Sequence, residues 1–144
     1  MNPSLFFLAL TTLLSTAAAY AEDAVSIRYP GKIEVRVLEA GKPYLNNRNY
    51  HLKKIPQDLE GMKFTVLPGG AYKDLQATIP AGATVYIGLD SEKKTVDAEA
   101  IRAYSSELER DGWKYFGKIG VTDGRMENLR VLVKKFSSGG TVEF

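Results

Sequence analysis

Residues 48–66, RNYHLKKIPQDLEGMKFTV, hold the pattern that decides the fold. Tyr50 and Leu52 fall on one side of an extended run and His51 and Lys53 on the other, the period-two signature of a half-buried strand. Ile55 precedes a proline and is pushed towards extended geometry. Pro56 suits the first position of a helical turn, residues 57–60 can continue it, and Gly61 supplies the left-handed residue that ends it. A second strand follows, with Met62, Phe64 and Val66 facing one way and Lys63 and Thr65 the other. Leu59 is the only apolar side chain inside the turn, so it is expected to plug one end of the core.

The same grammar extends outward from this stretch. Upstream, residues 25–29 and 32–39 read as two strands around Pro30-Gly31, and in the second Ile33, Val35 and Val37 alternate with Lys32, Glu34 and Arg36. Asn46-Asn47 is a turn candidate. Downstream, Leu67-Pro68-Gly69-Gly70 places proline and glycine where a type II turn needs them, and a loop with Tyr72 follows. Residues 75–79 and 83–89 flank Pro80-Ala81-Gly82 with the spacing of a hairpin.

Residues 95–110 change period: Ala98, Ile101, Tyr104 and Leu108 recur at helical spacing, with Asp97 as N-cap and Gly112 as stop. The stripe is narrow, which predicts a helix lying across a sheet edge or sandwich mouth and not inside the core. Trp113, Tyr115, Ile119 and Val121 return to alternation and are expected to share a buried face. Asp123-Gly124 is the strongest hairpin dipeptide in the chain; residues 129–136 run back, 137–140 turn, and 141–144 form a last short strand. Seven to ten short strands with one helix predict an all-β fold, mainly β with one helix: an antiparallel β-sandwich of jelly-roll-like type.

Residues 1–21 carry no charged side chain, contain an apolar run at 5–14 and end Ala19-Tyr20-Ala21, the small-x-small pattern of a secretory signal cleaved after Ala21. The run is too short to span a bilayer, which takes roughly 20 residues. A positively charged n-region is missing, and a start further upstream or an uncleaved anchor is the alternative. The expected destination is periplasmic or extracellular, with residues 22–144 forming a single β-sandwich domain and no stable membrane span after cleavage. Lys+Arg 19 against Asp+Glu 17 gives a net charge of +2 with interspersed signs, which argues against a nucleic-acid partner. Lys134-Lys135 reads as a solvated strand edge. Without cysteine there are no disulfides and no thiol chemistry.

The chemistry is correspondingly thin. His51 is the only histidine and reads as the outward residue of a strand; no Gly-x-Ser-x-Gly motif and no metal-ligand or calcium-loop spacing is present. No cofactor or metal is therefore expected. Asp58, Glu60, Asp90 and Glu92 lie in turns, where acids commonly cap and solubilise, although two carboxylates meeting in space could support glycoside hydrolysis or a lyase. Aromatics offer a better ligand argument, because sugar C–H faces pack on tyrosine rings while amides and arginines bond the hydroxyls. Tyr72, Arg48, Asn46 and Tyr86 are the candidate ligand-binding residues, Tyr72 being the most exposed by its place after Gly69-Gly70. Tyr50 shares a face with Leu52 and is expected in the core.

Several short motifs together resemble a family. Arg48-Asn49-Tyr50, Ile55-Pro56, Leu59, Gly61-Met62, Phe64, Gly69-Gly70, Thr84-Val85-Tyr86, Gly112-Trp113, Lys134-Lys135-Phe136, Gly139 and Thr141-Val142 follow one another in an order similar to the small all-β accessory domains of secreted bacterial sugar-active enzymes, including glycoside hydrolases, sulfatases and esterases. The resemblance covers residues 40–144 and implies a β-sandwich in a carbohydrate-related setting. The expected function is thus an exported, non-catalytic domain that binds carbohydrate or supports a sugar-active partner. A structural or protein-interaction domain of the cell envelope is the alternative, and a small glycoside hydrolase or lyase comes third.

Overall fold

Turn residues and period-two alternation translate into nine strands and one helix in the computed structural model, which describes residues 26–31, 34–45, 48–66, 75–89, 98–122 and 127–143. In chain order these are β1 (Ser26–Arg28), β2 (Glu34–Val37), β3 (Leu52–Lys54), β4 (Lys63–Val66), β5 (Gln76–Ile79), β6 (Ala83–Leu89), α1 (Ala98–Arg110), β7 (Lys114–Val121), β8 (Asn128–Phe136) and β9 (Gly140–Glu143). All strand pairs are antiparallel and assemble as β1-β5-β9, β2-β4 and β3-β7-β8-β6. The expected mainly-β, sandwich-like fold is the observed one.

The four-stranded sheet is the middle layer, because its strands contribute to two separate cores. Val85, Ile87 and Leu89 of β6 and Leu132 of β8 pack with Leu75, Ala77 and Ile79 beside β1-β5-β9 and with Ile101 and Leu108 of α1. Ile119, Val121, Leu129 and Val131 instead pack with Leu38, Leu52, Leu59, Phe64 and Val66 beside β2-β4. Each of these large side chains stabilises the fold by about 1.5–3 kcal/mol through removal from water.

The 48–66 stretch folds as its residues dictate. The Pro56 carbonyl accepts from the N–H groups of Leu59 at 2.9 Å and Glu60 at 3.2 Å, closing one helical turn. Gly61 ends it at φ +82° and donates its N–H to the Leu38 carbonyl at 2.9 Å, while the Leu38 N–H reaches the Met62 carbonyl at 2.7 Å. Two residues thus oppose one, a glycine bulge that swings the chain into β4. Leu59 is fully buried as the expected plug.

α1 stops where predicted. The Trp113 N–H reaches the Leu108 carbonyl at 3.0 Å and the Gly112 N–H that of Glu109 at 3.2 Å, the paired bonds of a Schellman ending. The Asp97 cap lies outside the described residues. Ile101 and Leu108 enter the first core with Tyr104 packed against it, while Arg102, Glu107 and Arg110 stay exposed, so a narrow stripe faces the sheet as expected. Between Ile101 and Leu108 the Ser105 hydroxyl is buried with no hydrogen-bond partner among the described residues. Ser105→Ala removes that unmet polar group and raises helix propensity, and is expected to stabilise the protein by about 0.5–1.5 kcal/mol in chemical denaturation. A destabilised variant would show that the hydroxyl makes a bond.

Three expectations are corrected. β5 and β6 are not a hairpin: β5 pairs with β1 and β9, and β6 with β8 over the whole of Ala83↔Phe136 to Leu89↔Arg130. That ladder outweighs a four-residue hairpin, and Pro80–Gly82 becomes a corner between sheets, pinned by the Gly82 N–H on the Phe136 carbonyl at 2.7 Å. β1 and β2 likewise separate into different sheets. β2 also turns its valines outward, Val35 being 67% and Val37 46% exposed. Its register, Arg36↔Phe64 and Glu34↔Val66, puts the charged pair on the side of the core residues of β4. There Arg36 and Glu34 are half-buried and neutralise each other through Nε–Oε2 at 3.1 Å and Nη2–Oε2 at 2.5 Å. Third, Trp113, Tyr115, Ile119 and Val121 do not share one buried face: Trp113 is buried in the first core, Ile119 and Val121 in the second, and Tyr115 is 48% exposed. A register shift between Tyr115 and Gly117 in the β7–β8 ladder breaks the alternation at Phe116.

Candidate functional site

The bulge in β7 that displaces Tyr115 also builds the best-formed polar aromatic surface among the described residues. Tyr115 pairs with Leu132 of β8, on the sheet face that carries α1. Arg130, two residues earlier on β8 and so on the same face, places its guanidinium carbon 4.4 Å from the centre of the Tyr115 ring. A cation over a tyrosine face contributes about 0.5–1 kcal/mol at an exposed site. From α1, Glu109 accepts the Arg130 Nη2 donor at 2.7 Å. Lys118 is the strand partner of Arg130 and joins the same face. The arrangement presents a half-open ring, a cation with further N–H donors and a carboxylate acceptor, all held by three neighbouring elements.

The end of the helix beside this surface is also closed by a strand residue. Lys134 Nζ donates to the Asp111 carbonyl at 2.6 Å and lies 5.1 Å from the centre of the Phe136 ring. A cation there complements the negative end of the helix dipole. Lys134 therefore has a structural task. Tyr104, further back on α1, has its phenol held well above the usual tyrosine range by burial, reinforced by Glu107 and Asp111, so it stays neutral at physiological pH.

The four residues singled out in the sequence do not form one cluster among the described residues. Tyr72 and Asn46 lie outside them. Arg48 is exposed in the loop leading into β3, whereas Tyr86 is half-buried in β6 and meets the Phe116 ring edge-on at 5.1 Å. β3 and β6 are the outer strands of their sheet, three strand spacings or about 14 Å apart. Tyr86 packs against the second core and so acts as a core-edge residue. His51 is built into the strand frame: its N–H bonds Thr122 Oγ1 at 2.9 Å and its carbonyl takes the Thr122 N–H at 3.0 Å. Asp58 and Glu60 are exposed in the helical turn. Among the described residues no group of three or more His, Cys, Asp or Glu side chains could hold a metal ion.

Tyr115 was missed because strict alternation carries Trp113 through to Val121 on one face. Gly117 is the signal that could have found it, since a glycine within a strand commonly marks a bulge. Compared with known proteins, the chain matches no family model, no curated protein and no solved structure.

Proposed function

We propose that the chain is an exported, non-catalytic β-sandwich domain that binds carbohydrate in the service of a sugar-active partner, with Tyr115 as the platform. The observation that carries this reading is the half-exposed Tyr115 ring flanked by Arg130 and Glu109. A sugar ring can lay its C–H face on the tyrosine while its hydroxyls donate to the carboxylate and accept from the guanidinium. The order of motifs shared with accessory domains of secreted sugar-active enzymes supports the same reading, and the uncharged, apolar start of the chain supports export.

Binding of the purified protein to an array of polysaccharides and oligosaccharides tests it. Tyr115→Ala is expected to weaken binding by several-fold to about tenfold, the worth of one aromatic stacking contact, while Tyr115→Phe retains it. Tyr72→Ala in parallel asks whether the loop named from the sequence takes part. Absence of binding to every glycan, or binding indifferent to Tyr115, would overturn the assignment. The second reading, an interaction domain of the cell envelope, is favoured by a different feature: the valines of β2 stand outward on a strand edge that is unpaired among the described residues.

A further inference from the structure

Among the described residues β2 has a strand partner on one side only. It pairs with β4, and no other named strand adjoins it among the described residues. The Leu38 N–H and carbonyl both point at β4, to Met62 and Gly61. In an antiparallel ladder this direction alternates residue by residue, so Arg36 and Glu34 also point at β4, and the main-chain groups of Val35 and Val37 point away from it. Those two residues are also the ones whose side chains are exposed. An edge of this kind, with apolar outward side chains, no proline within it, and inward charges, Glu34 and Arg36, that neutralise each other, is a template for another strand.

The charges on β2 select the strand. We propose that β2 pairs antiparallel with β2 of a second copy of this chain, about a two-fold axis through Val35. Only registers that bring outward-pointing residues together can form the ladder, which leaves Val35 opposite Val35, Val35 opposite Val37, or Val37 opposite Val37 as the central pairings. Placing Val37 opposite Val35 or Val37 would set Arg36 against Arg36 or against Leu38. Placing Val35 opposite Val35 sets Glu34 of each copy against Arg36 of the other, in the closely spaced type of pair where side chains approach most nearly. The half-buried Glu34–Arg36 pair of one chain then becomes a ring of four alternating charges. The two-fold makes the interface self-complementary, as a closed dimer requires. This inference does not depend on the carbohydrate reading; the dimer would display two Tyr115 platforms.

Sedimentation over a concentration series of the purified protein tests it, with circular dichroism to verify folding of each variant. The wild type is expected to show a monomer–dimer equilibrium. Arg36→Glu sets acid against acid at both crossings and is expected to weaken the dimer at least tenfold. The exchange of both charges, Glu34→Arg with Arg36→Glu, restores complementarity and is expected to recover it, while a mixture of wild type and exchanged protein forms no mixed dimer. Val35→Pro removes the outward N–H at the axis without touching the β4 ladder, and is expected to leave a folded monomer. A wild type that stays monomeric at every concentration, or a dimer that tolerates Arg36→Glu and Val35→Pro alike, would overturn the pairing.

Discussion

Phe64→Ala is expected to destabilise the protein by about 3–5 kcal/mol, a large share of the roughly 5–15 kcal/mol that a domain of this size has in total. The reason lies in how the second core is held. β2 and β4 bond only to each other among the named strands; the loop after β2 reaches β3 through the Gly41 N–H on the Leu52 carbonyl at 2.7 Å and the Leu52 N–H on the Lys42 carbonyl at 2.8 Å, and the rest of the hold on the central sheet is side-chain packing. Phe64 is among the largest fully buried side chains and sits with Leu38, Leu52 and Leu59 in that layer. Removing its ring deletes the transfer term and leaves a cavity. The bulge at Gly61 and the ladder to β2 hold the β4 backbone in place, so little collapse into the space is possible. Chemical denaturation would show the midpoint falling with an unchanged slope. Amide exchange should quicken first in β2 and β4, ahead of β6 and β8. A loss below about 1 kcal/mol would mean that the β2-β4 layer does not rest on this residue.

Gly139→Ala has the next largest expected effect, about 2–4 kcal/mol, for a reason that side-chain burial would not reveal. Gly139 sits at φ +71°, and a Cβ there would lie 2.8 Å from the Ile79 carbonyl oxygen, 3.0 Å from the Ala81 nitrogen and 3.3 Å from the Pro80 carbonyl carbon. All three are main-chain atoms of the corner between β5 and β6. None can swing aside as a flexible side chain would. The left-handed conformation contributes roughly 1 kcal/mol of the cost and the collision supplies the remainder. Gly61→Ala is the internal control: at φ +82° it carries the same conformational cost, but an added Cβ meets nothing within 4 Å. Thermal unfolding of the two variants should separate them clearly. Equal losses would show that the two turns do not pack as closely as the structure places them.

The outcome at Tyr115 and that at Gly139 share an origin. Each depends on how one strand lies against another element, and neither follows from the residue's own neighbours in sequence. Gly139 is glycine because the 137–139 turn abuts the 80–82 corner, an encounter between segments almost sixty residues apart. Tyr115 is exposed because β7 slips register against β8 at Phe116. Lys134, which reads as one of two solvated lysines, closes the end of α1 because the β8 backbone carries it there.

The amino-acid sequence by itself determined the local elements: the turn at Pro56 to Gly61, the strands on either side, the Leu59 plug, the helix with its Gly112 ending, and the strands β7 and β8 that run back on each other; the Asp123-Gly124 dipeptide itself lies outside the described residues. Each is decided within about ten residues by backbone sterics, proline and glycine geometry, and the period of apolar side chains. Tertiary structure alone decided which sheet each strand joined, which side of β2 faced inward and on which face Tyr115 emerged. A period of two says that faces alternate but carries no sign, and a turn says that the chain reverses but not what it pairs with afterwards. Those choices rest on ladders and packing between distant segments, where the β6–β8 ladder outweighed a short local hairpin. The Tyr115 platform and the open β2 edge are products of that second kind of decision.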